Sequence, residues 1–148
     1  MRSGQQLTIL IADDDPDDRL LIADAFTEAR LTNILSFVRD GEELLSYLRR
    51  EGVHVDASRP GIVLLDLNMP KKDGREALAE MKSDPELRNI PVVVLSTSKA
   101  EEDVLRTYDL GVAGFVVKPV SFEGLVELIA GLANYWFEIA ELPTNGDA

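Results

Sequence analysis

The alternation of two kinds of hydrophobic segment is the feature that most constrains the fold of this chain. Short runs of consecutive apolar residues alternate with longer stretches in which apolar residues recur at helical spacing, as at Ala77, Leu78 and Met81. The first kind is typical of strands covered on both faces, and the second of amphipathic helices. The short runs, of which all but the second are almost wholly apolar, are Leu7 to Ala12, Ile34 to Val38, Ile62 to Leu67, Pro91 to Leu95 and Gly114 to Val117. The pattern predicts five βα units.

This order of elements predicts an α/β fold, a doubly wound five-stranded parallel sheet of the flavodoxin-like kind that is flanked by helices. Short connections and right-handed crossovers make this the simplest arrangement. Asp15 and Pro16 suit the N-cap and first position of a helix, and Gly111 suits the end of one after Leu110. Ser121 is a suitable N-cap for the last helix.

The length of the chain predicts one domain, because 148 residues suffice for one hydrophobic core and are few for two. We expect the domain to span residues 7–142, including an extended last helix, between a flexible N-terminus at 1–6 and a tail at 143–148. The polar segment from Arg49 to Pro60 contains the single histidine, His54, which we expect to be a solvated loop residue.

Charge and composition disfavour several classes of function. With 27 acidic against 15 basic residues, the chain has a net charge of −12, which would repel a polyphosphate backbone and argues against direct nucleic-acid binding. No apolar run has the length that crosses a bilayer, and Met1 to Gln6 lacks the features of a secretory signal, so we expect neither a membrane partner nor export. The absence of cysteine excludes disulfides and thiolate chemistry and agrees with a cytoplasmic location.

Polar residues follow the carboxyl ends of the predicted strands, where open α/β sheets carry their sites. They are Asp13, Asp14 and Asp15 after the first strand, Asp66 and Asn68 at the third, Ser96 after the fourth and Lys118 after the fifth. Carboxylates that meet at one edge repel one another unless a cation lies among them, and oxygen ligands suit Mg²⁺. We interpret Asp15, Asp17 and Asp18 otherwise, as acidic residues that only favour a helix N-terminus.

Four motifs in this order resemble the receiver domains of bacterial response regulators. They are Ile-Leu-Ile-Ala-Asp-Asp ending at Asp14, Leu-Asp-Leu-Asn-Met-Pro starting at Leu65 with Asp73-Gly74 after it, the serine at 96, and Lys118-Pro119. The match covers about Leu7 to Leu132, and each motif lies at a predicted strand end. The resemblance implies the receiver topology and a switch that changes conformation on phosphorylation.

The resemblance implies a role for each residue at the sheet edge. Asp66 would be the phosphoacceptor, and Lys118 would contact the phosphoryl group across a cis peptide bond to Pro119. The implied Mg²⁺ ligands are Asp13, Asp14, Asp66 and the backbone carbonyl of Asn68.

Two further residues would transmit the switch. Ser96 would bind a phosphoryl oxygen after transfer, and Phe115 would change rotamer with it. Many receivers have threonine and tyrosine at these positions. Since the phenyl ring has no hydroxyl, a hydrogen bond from that ring is not available here.

The resemblance also implies an external phosphodonor. His54 is the only histidine and no Gly-rich nucleotide loop is present, so a sensor histidine kinase or a phosphotransfer protein must supply the phosphoryl group. Within the family, the chain is similar to the small stand-alone regulators of phytochrome-type photoreceptor kinases, through the long segment before the third strand and the aromatic sequence Tyr135 to Phe137 with Leu142-Pro143. No output domain follows, so we expect the signal to leave through a protein partner, a dimer rearrangement or the draining of phosphate from other regulators.

A surplus of apolar residues at the end of the last helix predicts a homodimer. The core-facing pattern could end at Leu132, yet apolar residues continue for about two more helical turns. The expected interface residues are Tyr135, Trp136, Phe137 and Ile139. Exposed aromatic patches usually mark a partner surface. The alternative is that this extension folds back onto its own domain.

Other classes of function stay open at this level. An aspartyl-phosphate phosphatase would carry a second aspartate two residues after its nucleophile, whereas Asp66 is followed by Asn68. An FMN binder would share the sheet, but the acids from Asp13 to Asp15 would repel the FMN phosphate. A phosphate-independent interaction module would not need the complete set of acids, hydroxyl and lysine. We expect a signalling switch, whose only reactions are Mg²⁺-dependent self-phosphotransfer and autodephosphorylation.

Overall fold

Five parallel strands form the sheet of the computed structural model, which describes residues 8–66, 74–96 and 111–134, apart from the side chain of Ser96. The strands are β1 (Thr8–Ala12), β2 (Ile34–Val38), β3 (Ile62–Asp66), β4 (Val92–Ser96) and β5 (Gly114–Val117). Their bounds lie within one residue of the predicted ones. The predicted strands are therefore confirmed.

Helices in the described residues connect or follow these strands. They are α1 (Pro16–Glu28), α2 (Gly41–Arg49), α3 (Gly74–Ser83), α4 (Phe122–Leu132) and a short 3₁₀ helix (Gly52–His54). No helix within the described ranges combines the length and the hydropathy that a membrane span requires.

The strand order is β2-β1-β3-β4-β5, with every neighbouring pair parallel. The chain goes from β1 outward to β2 and then returns to the other side of β1, so the winding direction reverses between β1 and β3. This is the doubly wound arrangement that the sequence predicts. The reversal places the carboxyl ends of β1 and β3 side by side, where such sheets open a binding crevice.

Helices cover both faces of the sheet, and alternate strand residues face opposite layers. On one face, Ile11 packs with Phe26 of α1 and Ile129 of α4. On the other face, Leu10 packs with residues of α2 and α3 such as Leu78. Because neither face of the central strands meets water, these strands are continuously apolar in sequence. This rigid core holds the strand ends in place.

Capping side chains determine where two helices beside the crevice begin. Asp15 accepts a hydrogen bond from the backbone N–H of Asp17 at 2.9 Å, and Pro16 occupies the first position of α1. Ser121 accepts one from the N–H of Gly124 at 3.0 Å and caps α4. Both predicted N-caps are confirmed.

His54 is not the solvated loop residue that the sequence predicts, and this expectation was wrong. Its side chain is only 17% exposed, and its Nε2 lies 3.2 Å from Oε2 of Glu43. The ring also contacts Tyr47, with 5.2 Å between ring centroids. The 3₁₀ helix folds the segment back onto α2, so the histidine is part of the packing against that helix.

Several predictions fall outside the described residues. Gly111 has the positive φ of +79° that suits a helix end, but the helix predicted before it lies in the range 97–110. The extension of α4 with its expected interface residues, the N-terminal segment 1–6 and the tail 143–148 are likewise outside. These remain predictions.

Candidate functional site

The register of the sheet brings the predicted polar residues to one edge. Ala12 of β1 pairs with Leu65 of β3, so Asp13 and Asp66 are neighbours at the carboxyl ends of adjacent strands. Val117 ends β5 beside the end of β4, and Lys118 follows it. Topology alone therefore assembles residues that are far apart along the chain.

Three carboxylates form the centre of this edge. One oxygen from each of Asp13, Asp14 and Asp66 can be chosen so that all three lie within 4.8 Å of one another. Asp13 is buried, Asp66 is 9% exposed and Asp14 is exposed. Buried acids so close together need compensating positive charge or hydrogen bonds.

Asp13 receives hydrogen bonds at each of its oxygens. Its Oδ1 accepts one from the backbone N–H of Asp15 at 3.0 Å, and its Oδ2 accepts one from Nζ of Lys118 at 2.9 Å. Its backbone carbonyl accepts a third, from Nη1 of Arg19 at 2.8 Å. Burial raises the pKa of Asp13 above its ordinary value of 3.8. The Asp15 N–H and Lys118 oppose that rise, whereas the charge of Asp66 adds to it.

Lys118 is the cation of the site, and its side chain is only 13% exposed. Its Nζ lies 2.8 Å from Oδ2 of Asp18, 2.9 Å from Oδ2 of Asp13 and 3.5 Å from Oδ2 of Asp66. Burial alone would lower the pKa of Lys118, but the hydrogen bonds to Asp18 and Asp13, with the charges of Asp13 and Asp66, raise it above its ordinary value. The ammonium therefore stays charged at neutral pH.

Asp18 belongs to this cluster, so the interpretation of Asp18 as an acid that only favours a helix N-terminus was wrong. It contributes the shortest of the lysine's contacts, at 2.8 Å. We can identify no signal in the sequence for its contact with Lys118, which lies 100 residues away. The contact of Arg19 with the Asp13 carbonyl has no signal in the sequence that we can identify.

The expected cis bond between Lys118 and Pro119 is not found, since the described residues contain no cis peptide bond. This expectation was wrong. The trans form is the more stable one before proline by roughly 0.5–1 kcal/mol. The lysine reaches the acids from the trans geometry.

The structure describes the other predicted site residues only in part. Phe115 is half-buried and packs against the core cluster on the α2 and α3 side of the sheet. Ser96 ends β4 and its backbone pairs with Val117, but its side chain is not described. Asn68 lies outside the described residues.

The donor set determines what this edge can hold. Carboxylate oxygens are ligands for a hard divalent cation, and the trio leaves Asp14 exposed for direct contact. The ammonium of Lys118 next to Asp66 provides a second positive group. The edge can therefore bind a divalent metal and stabilise an anionic group attached to or near Asp66.

Comparisons with known proteins identify the family of this site. A family model described as the response regulator receiver domain matches residues 9–130. The response regulator Rcp1 of Synechocystis sp. (strain ATCC 27184 / PCC 6803 / Kazusa) is 38% identical, over 95% of this chain and 96% of that protein. This chain shares 45% sequence identity with the protein in the crystal structure of the phosphorylated cyanobacterial phytochrome response regulator RcpA. The two structures superpose with a TM-score of 0.88, over 93% of this chain and 99% of that one. The crystal structure of the Mn²⁺-bound form of Rcp1 matches with 38% sequence identity and a TM-score of 0.86, over 93% of this chain and 99% of that one. The family match covers most of the chain, and the fold and the carboxylates and lysine at the sheet edge agree with it. The chain belongs to the response regulator receiver domain family.

Proposed function

We propose that Asp66 accepts a phosphoryl group from a histidine kinase and that the surrounding acids and Lys118 make this transfer possible. Receiver domains act as signalling switches controlled by phosphorylation. The observation that carries the assignment to Asp66 is its position at the end of β3, nearly buried, with the ammonium of Lys118 at 3.5 Å and the carboxylates of Asp13 and Asp14 beside it.

The chemistry follows from these groups. An oxygen of Asp66 attacks the phosphorus of the donor phosphohistidine in line, the new O–P bond forms, and the N–P bond to the imidazole breaks. The leaving imidazole takes its proton from solvent. An ionised carboxylate needs no general base for this attack. Lys118 offsets negative charge on the phosphoryl oxygens, which is the main contribution that a protein makes to such a transfer.

The metal in this proposal is Mg²⁺, held by Asp13, Asp14, Asp66 and the backbone carbonyl of Asn68. When bound, it would supply positive charge to the phosphoryl oxygens and relieve repulsion among the acids. The carboxylate cluster and the Mn²⁺-bound form of the relative Rcp1 support a divalent cation at this edge. Asp14 is the exposed member of the trio, so its carboxylate can meet an incoming cation directly.

The switch would run from the phosphoryl group through Ser96 to Phe115. Ser96 follows Leu95 on the strand next to Asp66, and Val117 pairs with it from β5. Phe115 lies on that same β5 strand, is half-buried, and would change rotamer with Ser96. Self-phosphotransfer from small donors and autodephosphorylation would be the only reactions.

The donor in this proposal is a phytochrome-type sensor kinase, because RcpA is a phytochrome response regulator by its description and is 45% identical to this chain. We place the reaction in the cytoplasm. The net charge of −12 supports a protein partner over nucleic acid. A second copy of the chain, joined through Tyr135, Trp136, Phe137 and Ile139, is the other partner that we propose.

Acetyl phosphate tests the phosphoacceptor without any kinase. Wild-type protein incubated with acetyl phosphate and Mg²⁺ should gain one phosphoryl group, visible by intact-protein mass spectrometry, and Asp66→Asn should gain none. Asp56→Asn is the matched control, since Asp56 is an exposed acid in the segment before β3. Full labelling of Asp66→Asn, or loss of labelling in Asp56→Asn, contradicts the assignment.

Phosphotransfer from purified kinases tests the donor. A phytochrome-type histidine kinase, autophosphorylated with labelled ATP, should pass its label to this protein within seconds to minutes, and an unrelated histidine kinase should do so far more slowly. Equal rates from both kinases would contradict the phytochrome assignment while leaving the role of Asp66 intact.

A further inference from the structure

The ammonium of Lys118 is shared unequally among three carboxylates. An ammonium has three hydrogens to donate, and its good hydrogen bonds to oxygen are about 2.7–3.2 Å long. The contacts with Asp18 and Asp13, at 2.8 and 2.9 Å, are within that range. The contact with Asp66, at 3.5 Å, is at the limit. The lysine is thus held mainly by two acids other than the proposed phosphoacceptor.

Asp18 differs from Asp13 in how easily it can release the lysine. Asp13 is buried and has further hydrogen bonds of its own, whereas the side chain of Asp18 is 35% exposed. Asp18 also borders an open groove of about 140 Å³ beside Pro119 and Phe122, where water can reach it. Solvation compensates an exposed carboxylate that loses its partner, so the Asp18 bond is the one that can break at small cost.

A phosphoryl group on Asp66 would compete for the same ammonium, because it brings roughly 1.5–2 negative charges and three acceptor oxygens. We propose that Asp18 is a positioning residue that holds Lys118 in the unphosphorylated state and competes with the phosphoryl group for its ammonium. This inference rests on the proposed function. An interaction present in only one of two states shifts the balance between them by its own free energy. Asp18 therefore favours the unphosphorylated state.

Beryllofluoride, a stable mimic of a phosphoryl group on a carboxylate, provides the test. Its affinity for the full chain in the presence of Mg²⁺ is measured by calorimetric titration for wild type and Asp18→Asn. Asp18→Asn should bind beryllofluoride about two- to fivefold more tightly, which is the range for one partly exposed charged pair. Asp18→Glu, which keeps the charge, should return towards the wild-type affinity.

Asp17→Asn is the matched control for general charge effects. Asp17 lies in the same first turn of α1, is exposed, and loses the same charge on substitution. The affinity of Asp17→Asn for beryllofluoride should equal that of wild type. If Asp17→Asn and Asp18→Asn tighten binding equally, the effect is a general one and the inference is wrong.

A double-mutant cycle with Lys118→Met separates a direct effect from a structural one. In the Lys118→Met background, Asp18→Asn should no longer tighten beryllofluoride binding, because the lysine for which Asp18 competes is gone. If Asp18→Asn still tightens beryllofluoride binding in the Lys118→Met background, the inference is wrong. It is also wrong if Asp18→Asn alone binds beryllofluoride as tightly as wild type or more weakly. Wild type that binds no beryllofluoride with Mg²⁺ overturns the proposed function itself, which distinguishes the two failures.

Discussion

At the scale of single residues, the balance of the site depends on the buried carboxylate of Asp13 and the nearly buried ammonium of Lys118. The pKa of Asp13 is raised by burial even with Lys118 in place, so the ionised form costs the folded protein free energy. Lys118 favours the ionised form of Asp13 by lowering its pKa, and Asp14 is exposed. The three side chains therefore have separate roles that substitutions can distinguish.

Asp14→Asn tests the metal role of the exposed acid. The substitution replaces a charged ligand by a neutral amide of the same size, so the affinity for Mg²⁺ should fall at least about tenfold, as losses at metal sites commonly do. Isothermal titration with Mg²⁺ measures this. Asp17→Asn, which removes the same charge from the neighbouring helical turn, should bind Mg²⁺ almost as well as wild type. Equal affinities for all three proteins would exclude Asp14 as a ligand.

Lys118→Ala tests the charge balance through stability. Removing one partner of a buried ion pair costs about 3–5 kcal/mol. Since Lys118 is partly exposed, we expect a loss of about 2 kcal/mol in the free energy of unfolding at pH 7 in metal-free buffer. Urea denaturation followed by circular dichroism measures the difference from wild type.

The pH dependence of that loss identifies its cause. Without the ammonium, the pKa of Asp13 in the folded protein should rise further above its unfolded value, because Lys118 lowers it. A carboxyl group with a raised folded pKa costs stability when it is ionised, and this cost disappears as the pH falls through the folded value towards the unfolded one. The difference in the free energy of unfolding between Lys118→Ala and wild type should therefore become smaller as the pH is lowered from 7 to about 4. If this difference in the free energy of unfolding does not change with pH, ionisation of Asp13 is not its cause.

At the scale of elements, the start of α4 is packed tightly against the segment that carries Lys118. A Cβ added at Gly124 would lie 2.9 Å from Cβ of Pro119 and 3.0 Å from Oγ of Ser121. About two turns later in the same helix, a Cβ at Gly131 would meet nothing within 4 Å. The two glycines thus serve different purposes, although the sequence does not distinguish them.

Alanine at each glycine should have opposite effects on the free energy of unfolding. Gly131→Ala should stabilise by about 0.5–1 kcal/mol, the helix propensity difference. Gly124→Ala should destabilise by about 1–3 kcal/mol through overpacking. It should also weaken beryllofluoride binding, because Pro119 must shift and Lys118 precedes it. Urea denaturation of both variants gives the comparison, and equal stabilisation by the two alanines would contradict the tight packing.

The elements themselves could be predicted well, because local signals determine them. Short, mainly apolar runs marked all five strands to within one residue, and Asp15 and Ser121 marked two helix starts. The contacts that were missed join segments that the sequence does not connect. Asp18 lies 100 residues from Lys118, and only the closed fold shows that they meet. His54 was misjudged for the same reason, since its partner Glu43 lies on a helix packed against it.

At the scale of the whole molecule, the strand order explains why the site could be predicted even though some partners could not. The order β2-β1-β3-β4-β5 makes β1 and β3 neighbours at the switch point, so acids at their ends must meet whatever the loops do. The site is therefore a property of the topology. The individual hydrogen bonds of the site, such as the one between Lys118 and Asp18, depend on side-chain positions that the topology does not determine.

Self-association is the property of the whole molecule that the sequence predicts most specifically. Trp136 and Phe137 belong to the apolar surplus that follows Leu132, which a single domain of this size has no evident way to cover. Aromatic side chains bury large areas and often dominate the free energy of association. We expect the wild type to be a two-fold symmetric dimer at micromolar concentration.

A Trp136→Ala, Phe137→Ala variant should dissociate at least about tenfold more readily, because two aromatic anchors are lost. Sedimentation velocity over a dilution series measures both proteins. The matched control is Val53→Ala, Val55→Ala, which trims two exposed apolar residues in and just after the 3₁₀ helix and should leave the dimer unchanged. Since Trp136 is the single tryptophan, dilution of the wild type should also shift its fluorescence to longer wavelength as the indole meets water. A wild type that is monomeric at micromolar concentration, with unchanged fluorescence on dilution, would show instead that the extension folds back onto its own domain.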